Sequence, residues 1–90
     1  MPVKVQIPTP MREQAGGNAE VAVSGGTVQA ALDDLVRQYP PLAAKLFDNG
    51  KLRPYVNIFV NDEDIRFLDD LDTALSDGAI VALIPAVAGG

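Results

Sequence analysis

Residues 80 to 84 read Ile-Val-Ala-Leu-Ile, five apolar residues in a row between Asp77-Gly78-Ala79 and Pro85. A strand that is apolar at every position has no face set aside for water, so it is expected in the middle of a sheet, covered on both faces. Pro85 carries no N–H and ends the ladder. This run stands close to the chain's end, so the other elements must be arranged around a last strand that occupies the centre. At the opposite end Val3, Val5 and Ile7 alternate with Lys4 and Gln6, the period-2 pattern of a strand with one buried face. The first and last strands are expected to lie parallel to each other in the centre.

The segments between fill in the rest. Pro8 and Pro10 close the first strand, Gly16-Gly17-Asn18 supplies a turn, and Val21 and Val23 resume the alternation, so residues 3–23 read as a hairpin with a long loop. After Ser24-Gly25-Gly26, Thr27 is a suitable N-cap. Val28, Ala31, Leu32, Leu35, Val36 and Tyr39 then recur at three- and four-residue spacing, with Gln29, Asp33, Asp34, Arg37 and Gln38 on the other face. Pro40-Pro41 ends this helix, and Leu42 to Phe47 reads as one more helical turn stopped by Asp48-Asn49-Gly50. Val56, Ile58 and Val60 form a third alternating strand, Asn61 to Asp64 a polar turn, and Ile65 to Phe67 a brief strand. Leu68, Leu71 and Leu75 suggest a short helical turn closed by Asp77-Gly78. The order ββαβ(β)β defines an α+β chain of the β-grasp (ubiquitin-like) class. It has a mixed four- to five-stranded sheet and one principal helix packed across it. Residues 1–85 are expected to form the domain and residues 86–90 a flexible C-terminal tail.

Composition narrows the chemistry. Ninety residues without a single Cys or His offer no thiolate, no imidazole base and no zinc site of the usual ligands. The two serines, Ser24 and Ser76, have no sequence neighbour able to activate them. Twelve acidic against seven basic residues give a net charge of −5, which repels phosphate backbones and disfavours nucleic acid. No apolar run approaches the ~20 residues needed to span a bilayer, and the N-terminus has no signal-peptide pattern. No membrane, no metal and no cofactor are therefore expected, and the cytoplasm is the expected compartment. A carrier or substrate protein fits this chain better than an enzyme.

The candidate reactive group is the end of the chain itself. Ala86-Val87-Ala88-Gly89-Gly90 follows the last strand, and glycine, lacking Cβ, lets a tail enter a narrow channel beside a nucleotide. Gly90 would carry the carboxylate that a partner could activate and Gly89 would be its steric companion, with a frayed end as the alternative. Val87 and Ala88 would line a partner's channel, with a simple linker as the alternative.

Phe59-Val60-Asn61-Asp62, Leu75-Ser76-Asp77-Gly78 and Ile84-Pro85-Ala86-Val87-Ala88-Gly89-Gly90, in this order and at this spacing, resemble the ubiquitin-like sulfur carriers of the ThiS/MoaD family over essentially the whole chain. The opening Val3 to Pro8, the stretch Val56 to Phe67 and the ending are most similar to the subgroup serving cysteine biosynthesis, the CysO-type carriers. The resemblance implies that an E1-like ATP-dependent enzyme (MoeB/ThiF type) adenylates the Gly90 carboxylate and that sulfide or a persulfide displaces AMP to leave a thiocarboxylate. In the cysteine branch this sulfur attacks an activated serine derivative on a PLP-dependent cysteine synthase, and a metalloprotease releases the product. The small subunit of molybdopterin synthase is the neighbouring alternative, with thiazole synthesis and tRNA thiolation behind it. A ubiquitin-like protein modifier, joining Gly90 to lysines, and a plain β-grasp interaction domain are the readings from other classes.

Other motifs have two readings each. Phe59 lies opposite Val56, Ile58 and Val60, so it is either an exposed aromatic forming a docking patch with Ile84 and Ala82, or a phenylalanine tucked under a loop. Asp62-Glu63-Asp64 reads as a solvated turn rather than a metal site. Asp69, Asp70 and Asp72 read as solvated surface or as partners for basic residues. Ser24-Gly25-Gly26-Thr27 reads as a turn and cap rather than a phosphate loop. Lys4, Lys45 and Lys51 are possible sites of self-modification.

Overall fold

The computed structural model describes residues 2–53 and 55–85. Strand β1 (Val3–Gln6) pairs antiparallel with β2 (Glu20–Val23), with Val3 opposite Val23 and Val5 opposite Val21. The loop between them is more ordered than a turn. A 3-10 helix over Thr9–Ala15 turns Met11 and Ala15 into the core, and Gly16 ends it at φ 66°.

Helix α1 (Val28–Gln38) begins at Thr27, whose Oγ1 accepts the Ala30 N–H at 3.2 Å. Val28, Ala31, Leu32 and Leu35 are fully buried while Val36 and Tyr39 are half-buried against the same core. Pro40 follows the C-cap residue Tyr39, and the residue before a proline is driven out of helical conformation. Helix α2 (Pro41–Leu46) contributes Leu42 and Leu46, both completely buried. Next comes a small hairpin that the sequence reading did not include, β3 (Phe47–Asp48) with β4 (Lys51–Leu52). Its two-residue turn is Asn49-Gly50, at φ 53° and 79°. Asn-Gly is the strongest short hairpin signal, because both positions need positive φ.

Strand β5 (Val56–Val60) turns through Asn61 and Asp62, again both at positive φ, into β6 (Glu63–Asp64). The brief strand expected at Ile65–Phe67 is therefore displaced. It ends at Asp64, and Ile65–Phe67 is a 3-10 turn. The cause is local: the Asp64 side chain accepts the Arg66 backbone N–H at 2.9 Å, an Asx turn that competes with the ladder. Of the helical turn expected over Leu68, Leu71 and Leu75, only a 3-10 turn at Asp70–Asp72 forms. Leu71 and Leu75 lean on the core, and Leu68 is exposed.

Strand β7 (Ile80–Pro85) takes the centre of the five-stranded sheet, ordered β2-β1-β7-β5-β6. It runs parallel to β1 and antiparallel to β5. This is a β-grasp: a mixed sheet with α1 packed on one face. One expectation fails here. β7 is not covered on both faces, since Val81 and Leu83 are buried whereas Ile80 and Ala82 are half-buried and Ile84 is 45% exposed. The helices lie on one side of the sheet, so the alternate apolar residues of β7 look outward. Their apolarity needs another explanation.

Candidate functional site

Strand pleat and register put those residues together. Successive side chains of a strand point to opposite faces. With Val5, Ile58, Val60, Val81 and Leu83 in the core, the outer face holds Ile80, Ala82 and Ile84 from β7, Asn57 and Phe59 from β5, and Lys4 and Gln6 from β1. Phe59 stands directly opposite Ala82, Asn57 opposite Ile84, Gln6 beside Ala82 and Lys4 beside Ile80. The result is an apolar stripe, Ile80-Ala82-Ile84 with Phe59 alongside, flanked by Lys4, Gln6 and Asn57. Phe59 is half-buried, so it stands between the two sequence readings, on the outer face yet not fully open. Ile80 and Gln6 carry no sequence signal of their own, and Lys4 stands out in the sequence only as a possible modification site. The signal for them was the parallel pairing of the first and last strands, followed through to its register.

The far edge of this face is fixed by one ion pair. Asp64, in register with Phe59, accepts from the Arg66 guanidinium at 2.7 Å. Those side-chain hydrogen bonds, followed by the Arg66 backbone N–H, hold the Asp64 carboxyl below its ordinary range, and the same pairing raises Arg66. On the helix side Asp34 is likewise lowered, first by the Arg37 guanidinium and then by the Ser24 backbone N–H.

Other residues named from the sequence have ordinary structural uses. Gly25 and Thr27 form the entry to α1. Asp62 and Glu63 belong to the β5–β6 turn, and among the described residues no group of three His, Cys, Asp or Glu is placed to hold a metal ion. Lys4 pairs with Glu20 at 3.5 Å, and Lys45 and Lys51 are exposed. Among the described residues no helix is long and apolar enough to cross a membrane. The apolar stripe leads to Pro85, which stands opposite Val56. Ala86, Val87, Ala88, Gly89 and Gly90, the tail expected over residues 86–90, come next and lie outside the described residues.

A mixed five-stranded β-grasp sheet with α1 packed across one face defines a ubiquitin-like fold. More specifically, the chain belongs to the ThiS family, whose model matches residues 5–90. It is 47% identical to the sulfur carrier protein CysO of Mycobacterium tuberculosis over 93 aligned positions, covering all of both chains. It is also 41% identical over 64 residues to small archaeal modifier protein 3 of Haloferax volcanii, spanning 71% of this chain and 70% of that one. Among solved structures, the BexX/CysO complex of Amycolatopsis orientalis contains a chain that superposes with a TM-score of 0.90 at 40% identity. That match covers 98% of this chain and 99% of that one.

Proposed function

We propose that this chain is a sulfur carrier of the cysteine-biosynthesis type, acted on by partner enzymes rather than being an enzyme itself. The observation that carries the reading is the end-to-end match to sulfur carrier protein CysO, which brings the two chains' C-terminal segments into alignment.

In this reading an E1-like partner binds the outer sheet face through Phe59, Ala82 and Ile84 and receives the tail in its active site. The Gly90 carboxylate oxygen attacks the α-phosphorus of ATP and pyrophosphate leaves. A carboxylate is a poor acyl donor, and the acyl adenylate is a good one. Sulfide then forms the C–S bond as AMP departs; a persulfide donor instead gives an acyl disulfide, from which a second thiol releases the thiocarboxylate while forming a disulfide with the donor's remaining sulfur. Five residues beyond Pro85 reach roughly 17 Å when extended, enough for Gly90 to enter a buried site while the sheet docks outside. The resulting thiocarboxylate gives its sulfur to an accepting enzyme, which in the cysteine branch is a PLP-dependent synthase, and a metalloprotease frees the product. A relative's assembly with BexX supports the idea that such carriers are read through stable docking.

Ile84→Asp tests the docking face. Ile84 is 45% exposed, so the fold should tolerate the change, with a melting temperature close to the wild type. Activation by the host's E1-like enzyme, followed by ATP-dependent pyrophosphate release, should fall at least about tenfold in kcat/KM. An unchanged kcat/KM would remove the stripe from the reading.

A second reading, as a protein modifier, is favoured by the 41% identity to small archaeal modifier protein 3. It would show as lysine-linked adducts of this chain in host extract that vanish when Gly89 and Gly90 are deleted.

A further inference from the structure

Phe67 is 85% exposed, far more than any other large apolar residue described, and its neighbour Leu68 is 38% exposed. Nothing in the fold requires this. The turn that presents them is tightly held. Ile65, two residues before Phe67, is buried, and its carbonyl accepts the Leu68 N–H at 2.9 Å. On one side Asp64 grips both the backbone and the guanidinium of Arg66. On the other the buried Thr73 hydroxyl accepts the Asp69 N–H at 3.0 Å and donates to the Asp70 carbonyl at 2.7 Å. The aromatic ring is thus carried on a braced loop. A rigid, solvent-facing aromatic is what an interface anchor needs, because little conformational freedom is left to lose on binding.

The surroundings select the partner. Asp62, Glu63, Asp69, Asp70 and Asp72 are all exposed in the same stretch, and none forms an ion pair among the described residues. Of the two cations here, Arg66 is already matched by Asp64, and Arg53, at the adjoining groove, donates to the Ala44 carbonyl, so the carboxylates outnumber the free positive charge. A second copy would bring a like acidic ring against this one, on top of a net charge of −5 per chain. Next to the knob, Leu52, Ile65 and Leu71 line an apolar groove of about 340 Å³.

We propose that Phe67 and Leu68 form a second docking point, separate from the outer-face stripe used by the activating enzyme, that inserts into an apolar hole ringed by Lys and Arg on the sulfur-accepting enzyme. The proposal rests on the sulfur-carrier reading, in which an activating and a sulfur-accepting enzyme must each recognise the same small body. The two docking points would let those enzymes use different surfaces.

The test is calorimetric titration of wild type, Phe67→Ser, Ile84→Asp and the pair Asp69→Asn/Asp72→Asn against the purified activating enzyme and the purified accepting enzyme, at low and high salt. Because Phe67 is exposed, Phe67→Ser should melt with the wild type. It should weaken binding to the accepting enzyme about 30-fold or more while leaving the activating enzyme within twofold, and a loss confined to the activating enzyme overturns the assignment. The double Asn variant should lose part of the salt dependence for that same enzyme. Binding of Phe67→Ser to both enzymes within twofold of wild type overturns the second docking point, even while Ile84→Asp still weakens binding and upholds the carrier reading. Wild type bound by neither enzyme overturns both. Concentration-dependent self-association of the wild type that disappears in Phe67→Ser overturns it in favour of a second copy.

Discussion

Deleting Gly89 and Gly90 is expected to abolish thiocarboxylate formation outright, with no residual turnover by the activating enzyme and no loss of folding. The deletion leaves a carboxylate on Ala88 and shortens the reach beyond Pro85 by roughly 7 Å, at 3.3–3.6 Å per residue. If the sheet face docks at a fixed place, the shortened end cannot come to the α-phosphate. Lengthening the chain by a single residue should fail as completely, for the opposite reason: the carboxylate overshoots and Gly90 becomes an internal amide. Gly90→Ala separates reach from bulk. It keeps the length and the carboxylate, so it should retain partial activity, reduced by the methyl group's demand on a channel fitted to glycine. The measurement is ATP-dependent pyrophosphate release together with intact-protein mass. Full activity in the deletion variant would place the chemistry somewhere other than the chain's end.

The largest effect on the fold is expected from Gly25→Ala. A Cβ at Gly25 would stand 2.5 Å from the Ala31 nitrogen, 2.8 Å from the Ala30 carbonyl carbon and 2.9 Å from the Ala31 Cα. All three are backbone atoms of α1's first turns and cannot swing aside as a flexible side chain would. Either the helix entry or the β2–α1 connection must move, which would strain the Thr27 cap. Overpacking of this kind costs about 1–3 kcal/mol, and a damaged N-cap adds about 1. For a domain of this size each kcal/mol shifts the melting temperature by roughly 4–8 °C, so a fall on the order of 10–25 °C is expected. Gly26→Ala is the control, since nothing lies within 4 Å of its Cβ position. It should melt within a few degrees of the wild type. Equal melting of the two variants would mean that the close approach of Gly25 to the helix is not what fixes this corner.

The elements that the sequence made legible are those whose burial pattern has a single period. β1, β2, α1 and β5 each alternate or repeat cleanly, and Thr27 marks the start of α1. The all-apolar run of β7 marks it as the central strand, yet one of its two faces is the outer surface rather than a second buried one. Apolarity alone does not separate a residue buried by the fold from one kept apolar on the surface. The β3–β4 hairpin shows no period because its strands are only two residues each, and Asn49-Gly50 is its one sequence signal. Ile65 to Phe67 looked like a strand because Ile and Phe alternate about Arg66, and the Asx turn at Asp64 overrode that pattern. For the candidate site, the outer position of Phe59, Ala82 and Ile84 followed from alternation, whereas the partners Lys4, Gln6 and Ile80 needed the strand register. The exposure of Phe67 was invisible, since it depends on how the 3-10 turn is braced by Asp64 and Thr73.

The central claim is that Gly90 carries sulfur, and intact-protein mass spectrometry of the chain purified with its native C-terminus tests it most directly. After incubation with the host's activating enzyme, ATP and a sulfide source, the expected result is a species heavier by the exchange of one oxygen for sulfur, with the change mapping to Gly90. A mass that stays unmodified under those conditions, while the activating enzyme remains active on another carrier, would contradict it.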